Sequence, residues 1–348
     1  MNVLVTGGAG YIGSHTAKAL SLAGHTPITI DNLVYGHESA VKWGPFFRVD
    51  INDEMAVAKI LRTEKIEAVI HFAAYAYVGE SMREPLKYFS NNVGGTLALL
   101  RAMRAANVLK IVFSSSCATY GTPTEMPISE NCDQRPINPY GLSKLMVEEI
   151  LKAECAASNV RAIALRYFNA AGADADCEIG EDHTPETHIV PLAIQAYLDP
   201  NKPLTIFGQD YDTADGTCVR DYIHVTDLAD AHVKALEHLS AQPKAFTALN
   251  LGAERGVSVK EIVRAIEKVG SQFVGGDIRK LSVLWGERRP GDPAQLIASA
   301  TRAREVLGWQ TRHSGLENII STAMHWATSA RVTKQTAKTH TPQPKGPQ

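Results

Sequence analysis

Apolar residues come in short blocks separated by glycine, proline and polar clusters, and the blocks are of two kinds. Nearly continuous apolar runs at Asn2–Thr6, Pro27–Ile30, Phe46–Val49, Ala68–Phe72, Lys110–Phe113 and Arg161–Arg166 predict short strands buried on both faces. Longer segments at about 14–23, 53–62, 86–105 and 140–157 predict the helices between them. Regular alternation of strand and helix through residue 170 predicts an α/β fold with a doubly wound parallel sheet. Ligands of such sheets bind outside the carboxyl ends of the strands. That rule brings Gly7, Asp31, Ala73, Ser116, Tyr140 and Asn169 to one edge, although they are far apart in the chain.

Beyond residue 170 the alternation stops. An acidic, glycine-bearing loop (171–188) leads to a helix at about Ile189–Leu198 and a second polar loop, Gln209–Thr217. Thr226 is read as the N-cap of a helix over 227–239, followed by a strand near Ala248–Leu251 and helices at 258–269 and about 315–328. The expected organisation is a dinucleotide-binding domain (1–170) and a smaller mixed α/β substrate region (171–327), which can return strands to the first domain. The Lys/Thr/Gln/Pro-rich tail (328–348) is expected to be disordered.

The first strand runs into Gly7-Gly8-Ala9-Gly10-Tyr11-Ile12-Gly13. Three glycines at G-x2-G-x2-G spacing between a strand and a helix permit a tight turn and bring backbone N–H groups close to a pyrophosphate. The plainer alternative is a turn that only packs the helix on the strand. The second strand ends in Asp31, where a Rossmann-type fold places the acid that bonds the adenosine ribose; its charge would repel a 2′-phosphate and so favours NAD over NADP. Asp50 either contacts adenine or caps the next helix.

The charge balance excludes some partners. A formal net charge of −2 over 348 residues argues against nucleic acid and against an anionic membrane surface. The longest apolar runs fall well short of the ~20 residues of a membrane span, and the N-terminus has no charged leader, so a cytoplasmic protein is expected. The five cysteines are widely spaced, with no Cys-x2-Cys, and the twelve histidines are scattered. Neither a disulfide framework nor a metal is assigned.

Asn138-Pro139-Tyr140-Gly141-Leu142-Ser143-Lys144 carries the candidate chemistry. Residues four apart share a helix face, and an ammonium near a phenol favours the phenolate. Tyr140 thereby becomes a candidate base, although a Tyr-x3-Lys pair also arises by chance on ordinary helices.

Together with the glycine loop, the serines at 114–116 with Tyr120-Gly121, and Tyr167-Phe168-Asn169, this stretch resembles the extended short-chain dehydrogenase/reductase family acting on nucleotide sugars. Asp31-Asn32-Leu33, Val78-Gly79-Glu80-Ser81, the run from Asp215 to Val225 and Arg289-Pro290-Gly291-Asp292 resemble the NAD-dependent branch that epimerises UDP-hexoses at C4. The likeness covers about residues 1–327. It implies interconversion of UDP-glucose and UDP-galactose with tightly held NAD: Tyr140 takes the 4-OH proton, C4 is oxidised transiently, and the 4-keto sugar turns over before reduction. It assigns Tyr140, Lys144 and Ser116 to catalysis. To the cofactor it assigns Gly7, Gly10, Tyr11, Ile12, Gly13, Asp31, Asn32, Asp50, Ile51, Phe72, Ala73, Ala74, Asn91, Ser114, Tyr140, Lys144, Tyr167 and Phe168. To the UDP-sugar it assigns Ser116, Asn169, His188, Ile189, Thr205, Phe207, Arg220, Tyr222, Arg289, Asp292 and Leu296. A surface salt bridge to Asp221 or Glu287 is the alternative for the two arginines. A homodimer is implied as well, through helices near 86–106 and 140–157.

Two positions depart from the pattern, and a third leaves N-acetylated substrates undecided. Ala76 replaces a cofactor-contacting lysine of some members, and His188 an asparagine of the substrate loop. Leu296, of intermediate size, stands where access for N-acetylated sugars is set. A 4,6-dehydratase would carry Asp-Glu where this chain has Cys117-Ala118. A UDP-xylose/UDP-arabinose 4-epimerase and a non-catalytic NAD-binding relative are the remaining alternatives.

Overall fold

The structure is a computed structural model that describes residues 1–241, 246–273, 275–276, 279–289 and 292–339. The first part runs β1 (Asn2–Thr6), α1 (Tyr11–Leu22), β2 (Thr26–Asp31), β3 (Phe46–Arg48), α2 (Glu54–Thr63), β4 (Ala68–His71), α3 (Val78–Arg83), α4 (Pro85–Tyr88), α5 (Gly95–Ala106), β5 (Lys110–Ser116), α6 (Pro139–Ala157) and β6 (Arg161–Tyr167). There follow β7 (Asn169–Ala171), α7 (Ile189–Leu198), β8 (Leu204–Phe207), β9 (Val219–His224), α8 (Val225–Ala241), β10 (Phe246–Leu251), β11 (Gly256–Ser258), α9 (Val259–Gly270), β12 (Val283–Gly286), β13 (Gln295–Leu296), α10 (Thr301–Leu307) and α11 (Leu316–Thr339).

Seven strands form one parallel sheet in the order β10-β6-β5-β4-β1-β2-β3. The continuous apolar runs have a direct cause: successive side chains alternate between two buried faces. Leu4 joins a core with Val57 and Leu61 of α2, Leu99 of α5 and Leu151 of α6. Its neighbours Val3 and Val5 join the opposite core with Leu20 of α1 and Leu228 and Leu236 of α8. The sheet is thus covered on both sides, as the alternation predicts. β10 arrives from late in the chain and pairs with β6 from Phe246↔Ala162 to Leu251↔Tyr167. A second layer contains β11, β9, β13 and β7, the β12–β8 pair, and a third core that includes residues of α7, α9 and α11.

Three expected elements differ in detail. The helix read as 86–105 is α4, a π-helical turn over Phe89–Gly94, and α5. The wide turn accommodates Asn92, whose amide is buried and bonds the Tyr75 backbone (3.0 Å) and Ser143 Oγ (3.0 Å). Thr226 is not a cap, because α8 already begins at Val225 and the Thr226 N–H donates to His224 Nδ1. α11 continues to Thr339 rather than ending near 328; the rest of the expected disordered tail, 340–348, lies outside the described residues. Among the described residues, no helix is long and apolar enough to cross a membrane.

Four buried histidines set an acid limit. Burial pushes His71 down to about 3 and His15, His224 and His232 down to about 4. Below the ordinary value of 6.5 the unfolded chain binds protons that the folded chain refuses. Stability should therefore fall as pH drops from 6.5 toward 4. Urea midpoints compared at about pH 7 and about pH 5 test this, and equal midpoints would refute it.

Candidate active site

The carboxyl ends of β1, β2, β4, β5 and β6 open on one side of the sheet. At the first, the chain turns into α1, whose N-cap Gly10 makes no side-chain cap and whose first turn carries no acid. The leading N–H groups therefore have no carboxylate competing for them, which suits a diphosphate. Gly13 is required by packing: a Cβ there would lie 2.3 Å from Gly7 O. Gly13→Ala should open the turn, cost roughly 1–3 kcal/mol of stability, and lose bound NAD, as read from nicotinamide content and melting temperature.

Asp31 ends β2. It accepts from Ala9 N (3.1 Å) and Leu33 N (2.8 Å), and burial raises its pKa against these donors. Asp50 is not a helix cap. It accepts from Asn32 Nδ2, Asn52 N and Asn52 Nδ2, all at 2.8 Å, while Asp53 caps α2. Ile51 is buried beneath it. Phe72, Ala73 and Ala74, at the end of β4, are half-buried. Tyr11 turns away from the glycine loop and donates to Gly172 O (2.6 Å), so it leaves only its backbone for a cofactor. Asn91 is half-buried and donates to Asn92 Oδ1 (3.0 Å); Asn92, which the sequence reading passed over, holds the π-turn against α6.

Asn138 Oδ1 caps α6 by accepting from Gly141 N (2.8 Å), and Pro139 occupies the first turn. A Cβ on Gly141 would meet Ala118 O at 2.4 Å. That close approach brings Tyr140 beside Ser116 at the end of β5. Burial pushes the Tyr140 phenol up to about 12, with the Ser116 bond pulling the other way. Lys144 is buried beside it. Its Nζ donates to Ser114 O (2.7 Å) and lies 5.9 Å from the Tyr140 ring centre, and burial pushes it down to about 7. The lysine thus points at the strand end, and burial dominates the Tyr140 phenol. Ser114 Oγ bonds the Tyr167 hydroxyl, whose pKa burial raises; Phe168 is buried next to it.

Apart from Ser116, the substrate candidates lie beyond β6, outside the large sheet. Asn169 donates to Asp221 O (3.0 Å) and pairs with Tyr222, which is buried. Thr205 and Phe207 share the exposed face of β8, with the Arg289 guanidinium 4.4 Å over the Phe207 ring. Arg220 pairs with Asp292 rather than with Asp221 or Glu287. Asp221 faces the other way and accepts from Ala253, Glu254 and Ala298 N–H groups. Leu296 packs with Tyr120, Ile128 and Phe168. Ile189 is half-buried at the first turn of α7.

His188 behaves differently from the asparagine it replaces. Its ring Nδ1 stands 2.8 Å from Glu181 and 3.0 Å from Glu186, so that nitrogen is committed to the carboxylates. Burial opposes its charge, but the carboxylates prevail and push His188 up to about 10 and neighbouring His183 up to about 9. No metal is expected from the scattered histidines, yet Glu181, His183, Glu186 and His188 bring one ligand atom each to within 4.8 Å of one another. The signal was a local one, Glu-x-His-x2-Glu-x-His within eight residues.

Comparison with known proteins gives a consistent result. A model of the NAD dependent epimerase/dehydratase family matches residues 3–252. A UDP-glucose 4-epimerase of Lacticaseibacillus casei is 48% identical over 94% of this chain and 96% of its own length. Its counterpart in Rhizobium meliloti is 49% identical over 93% and 96%. The crystal structure of UDP-glucose 4-epimerase from Brucella ovis in complex with NAD superimposes with a TM-score of 0.88 at 50% identity, covering 93% of this chain and 98% of that one. The Stenotrophomonas maltophila enzyme, solved with NAD and formylated UDP-arabinopyranose, gives 0.89 at 39% identity over 96% and 99%. On the strength of this agreement in sequence and in fold, the chain belongs to the NAD dependent epimerase/dehydratase family.

Proposed function

We propose that the protein interconverts UDP-glucose and UDP-galactose by inverting the sugar at C4, with NAD held along the carboxyl edge of the large sheet. The observation that carries this is the meeting of Tyr140 with Ser116 at the end of β5, with Lys144 buried behind them. In this reading residues 1–170 hold the cofactor and residues 171–327 hold the UDP-sugar. The uncapped start of α1, Asp31 and the small residues closing β4 suit a dinucleotide; the Gly7–Gly13 turn receives the diphosphate and Asp31 the ribose. When bound, NAD supplies the two-electron oxidant for C4, returns those electrons to the opposite face of the 4-keto sugar, and in its oxidised form brings a positive charge.

Tyr140 Oη accepts the proton of the 4-OH and later gives it back, with Ser116 Oγ orienting the sugar oxygen between them. A phenol held up to about 12 by burial is a weak base alone, so the site works only when positive charge faces it. Lys144 holds the end of β5 and keeps Tyr140 in place. Arg220, Arg289 and Asp292 grip the UDP, with guanidinium on diphosphate and carboxylate on ribose. The Arg220–Asp292 pair keeps these groups ordered beforehand. A dehydratase would need an acid where Cys117 stands, and burial pushes that thiol up to about 12.

Purified protein mixed with UDP-galactose, without added nicotinamide, should yield UDP-glucose and show a transient absorbance of reduced cofactor. Neither product nor signal would sink the reading. The pentose reaction is the second reading, since the Stenotrophomonas maltophila structure holds a UDP-arabinopyranose derivative. Relative kcat/KM on UDP-galactose and UDP-arabinose separates the two.

The reading includes a cytoplasmic location and a homodimer. Support for the dimer is a set of exposed apolar side chains, Met82, Leu86, Leu97, Leu142 and Met146, on α3 to α6. Met146→Arg should yield a monomer by light scattering, whereas an unchanged mass would move the interface elsewhere.

A further inference from the structure

We propose that Glu181, His183, Glu186 and His188 form a four-coordinate site for a divalent zinc-class cation. The donor set is two imidazoles and two carboxylates, so a bound dication would leave the site neutral. A tetrahedral ion held at about 2.0–2.2 Å separates neighbouring donor atoms by roughly 3.3–3.6 Å. Separations in the cluster lie around that edge: His188 Nδ1 is 2.8 Å from Glu181 Oε1 and 3.0 Å from Glu186 Oε1, and His183 Nδ1 is 3.2 Å from Glu181 Oε1 and 3.7 Å from the other Glu186 oxygen, Oε2.

A second observation points the same way. His183 Nδ1 is buried and faces both carboxylates, 3.2 Å from Glu181 Oε1 and 3.7 Å from Glu186 Oε2, without an aligned hydrogen bond to either. Its ring is held edge-on between Tyr11 and Tyr77, with centres 6.2 Å and 6.3 Å away, so that nitrogen is aimed into the cluster and cannot swing out. Glu186 is fixed by accepting from the N–H groups of Thr187 (2.7 Å) and His188 (2.8 Å). The segment carrying Glu181 is pinned by Trp326 Nε1 donating to Glu181 O (3.0 Å). Outer contacts of this kind orient metal ligands. Glu181, His183 and Glu186 also line a cavity of about 310 Å³, which gives an ion a way in.

The other acidic cluster does not compete. Lys18 Nζ already sits among Asp174 (2.8 Å), Asp176 (3.1 Å) and Glu178 (2.7 Å), in the place an ion would take. An ion at the Glu/His cluster would fasten residues 181–188 just ahead of α7, whose first residues the proposed reaction gives to the substrate. The ion site itself does not rest on that reading.

The test uses the chain stripped with chelator and then dialysed against Zn²⁺ or Mg²⁺. Elemental analysis should find about one Zn²⁺ per chain, with a melting temperature several degrees above that of the stripped protein, and Mg²⁺ should raise nothing. Glu186→Gln and His183→Asn should each lose the ion and the shift. Uptake of Co²⁺ by the unaltered chain should give the intense visible bands of a tetrahedral centre, a readout that stands even if a variant fails to fold. Absence of zinc uptake, retention of zinc by both variants, or a pale six-coordinate Co²⁺ spectrum would overturn the site and leave the cluster as protonated histidines paired with glutamates.

Discussion

Tyr140→Phe should lower kcat by about 10²–10⁴-fold while NAD content and the melting temperature stay close to the original. Only the hydroxyl is removed, and the side chain it faces is Ser116. Ser116 also accepts from Ala118 N (3.1 Å), so it is not stranded by the change. KM should move little, because the proposed reading gives the UDP to Arg220, Arg289 and Asp292 rather than to the phenol. Steady-state kinetics with UDP-galactose and a nicotinamide assay check both halves. Full activity would remove Tyr140 as the base. Loss of activity together with loss of NAD would mean that the tyrosine holds the cofactor rather than moving the proton.

Glu148→Ala should cost about 3–5 kcal/mol, the largest stability effect expected from a single position. Glu148 and Arg166 are both buried. Arg166 reaches the carboxylate through Nε (2.9 Å) and a terminal nitrogen (2.5 Å), and Ser115 donates to it from β5. Arg166 also donates to the Tyr120 hydroxyl (2.9 Å), which in turn donates to Asn250 on β10 (2.7 Å). Truncation leaves an unpaired guanidinium in the core and loosens α6, β5, β6 and β10 together. The double variant Glu148→Met/Arg166→Met should recover much of the loss, because it strands no charge. Urea denaturation of the four proteins closes the cycle, and a double variant no better than Glu148→Ala would refute the account.

The sequence made the sheet legible because two-sided burial writes a parallel strand as a plain apolar run. The start of α6 was equally legible, since Asn138, Pro139 and Gly141 each mark a local backbone need. What pattern could not supply were relations between distant residues. The Arg220–Asp292 pairing spans 72 positions, and the two arginines were open to other acids until folding chose. The same is true of the direction in which Lys144 points: four-residue spacing put it on the face of Tyr140, but the carbonyl of Ser114 decided where the ammonium goes. Asn92 was hidden by the reverse effect, because a π-turn has no period of its own inside a helical stretch. The Glu181–His188 cluster was local, yet it lay in a segment read only as loop.

The late arrival of β10 bears on how the chain comes off the ribosome. β6 has neighbours on both sides only after residue 251 has been made, because its outer partner is Phe246–Leu251. Until then a strand buried along six of its seven residues is an open apolar edge, the kind that pairs with strands of other chains. A fragment cut at residue 170 keeps every residue expected to hold the dinucleotide and still lacks the strand that seals its sheet. Such a fragment should accumulate as aggregate, because about 80 residues separate β6 from its cover.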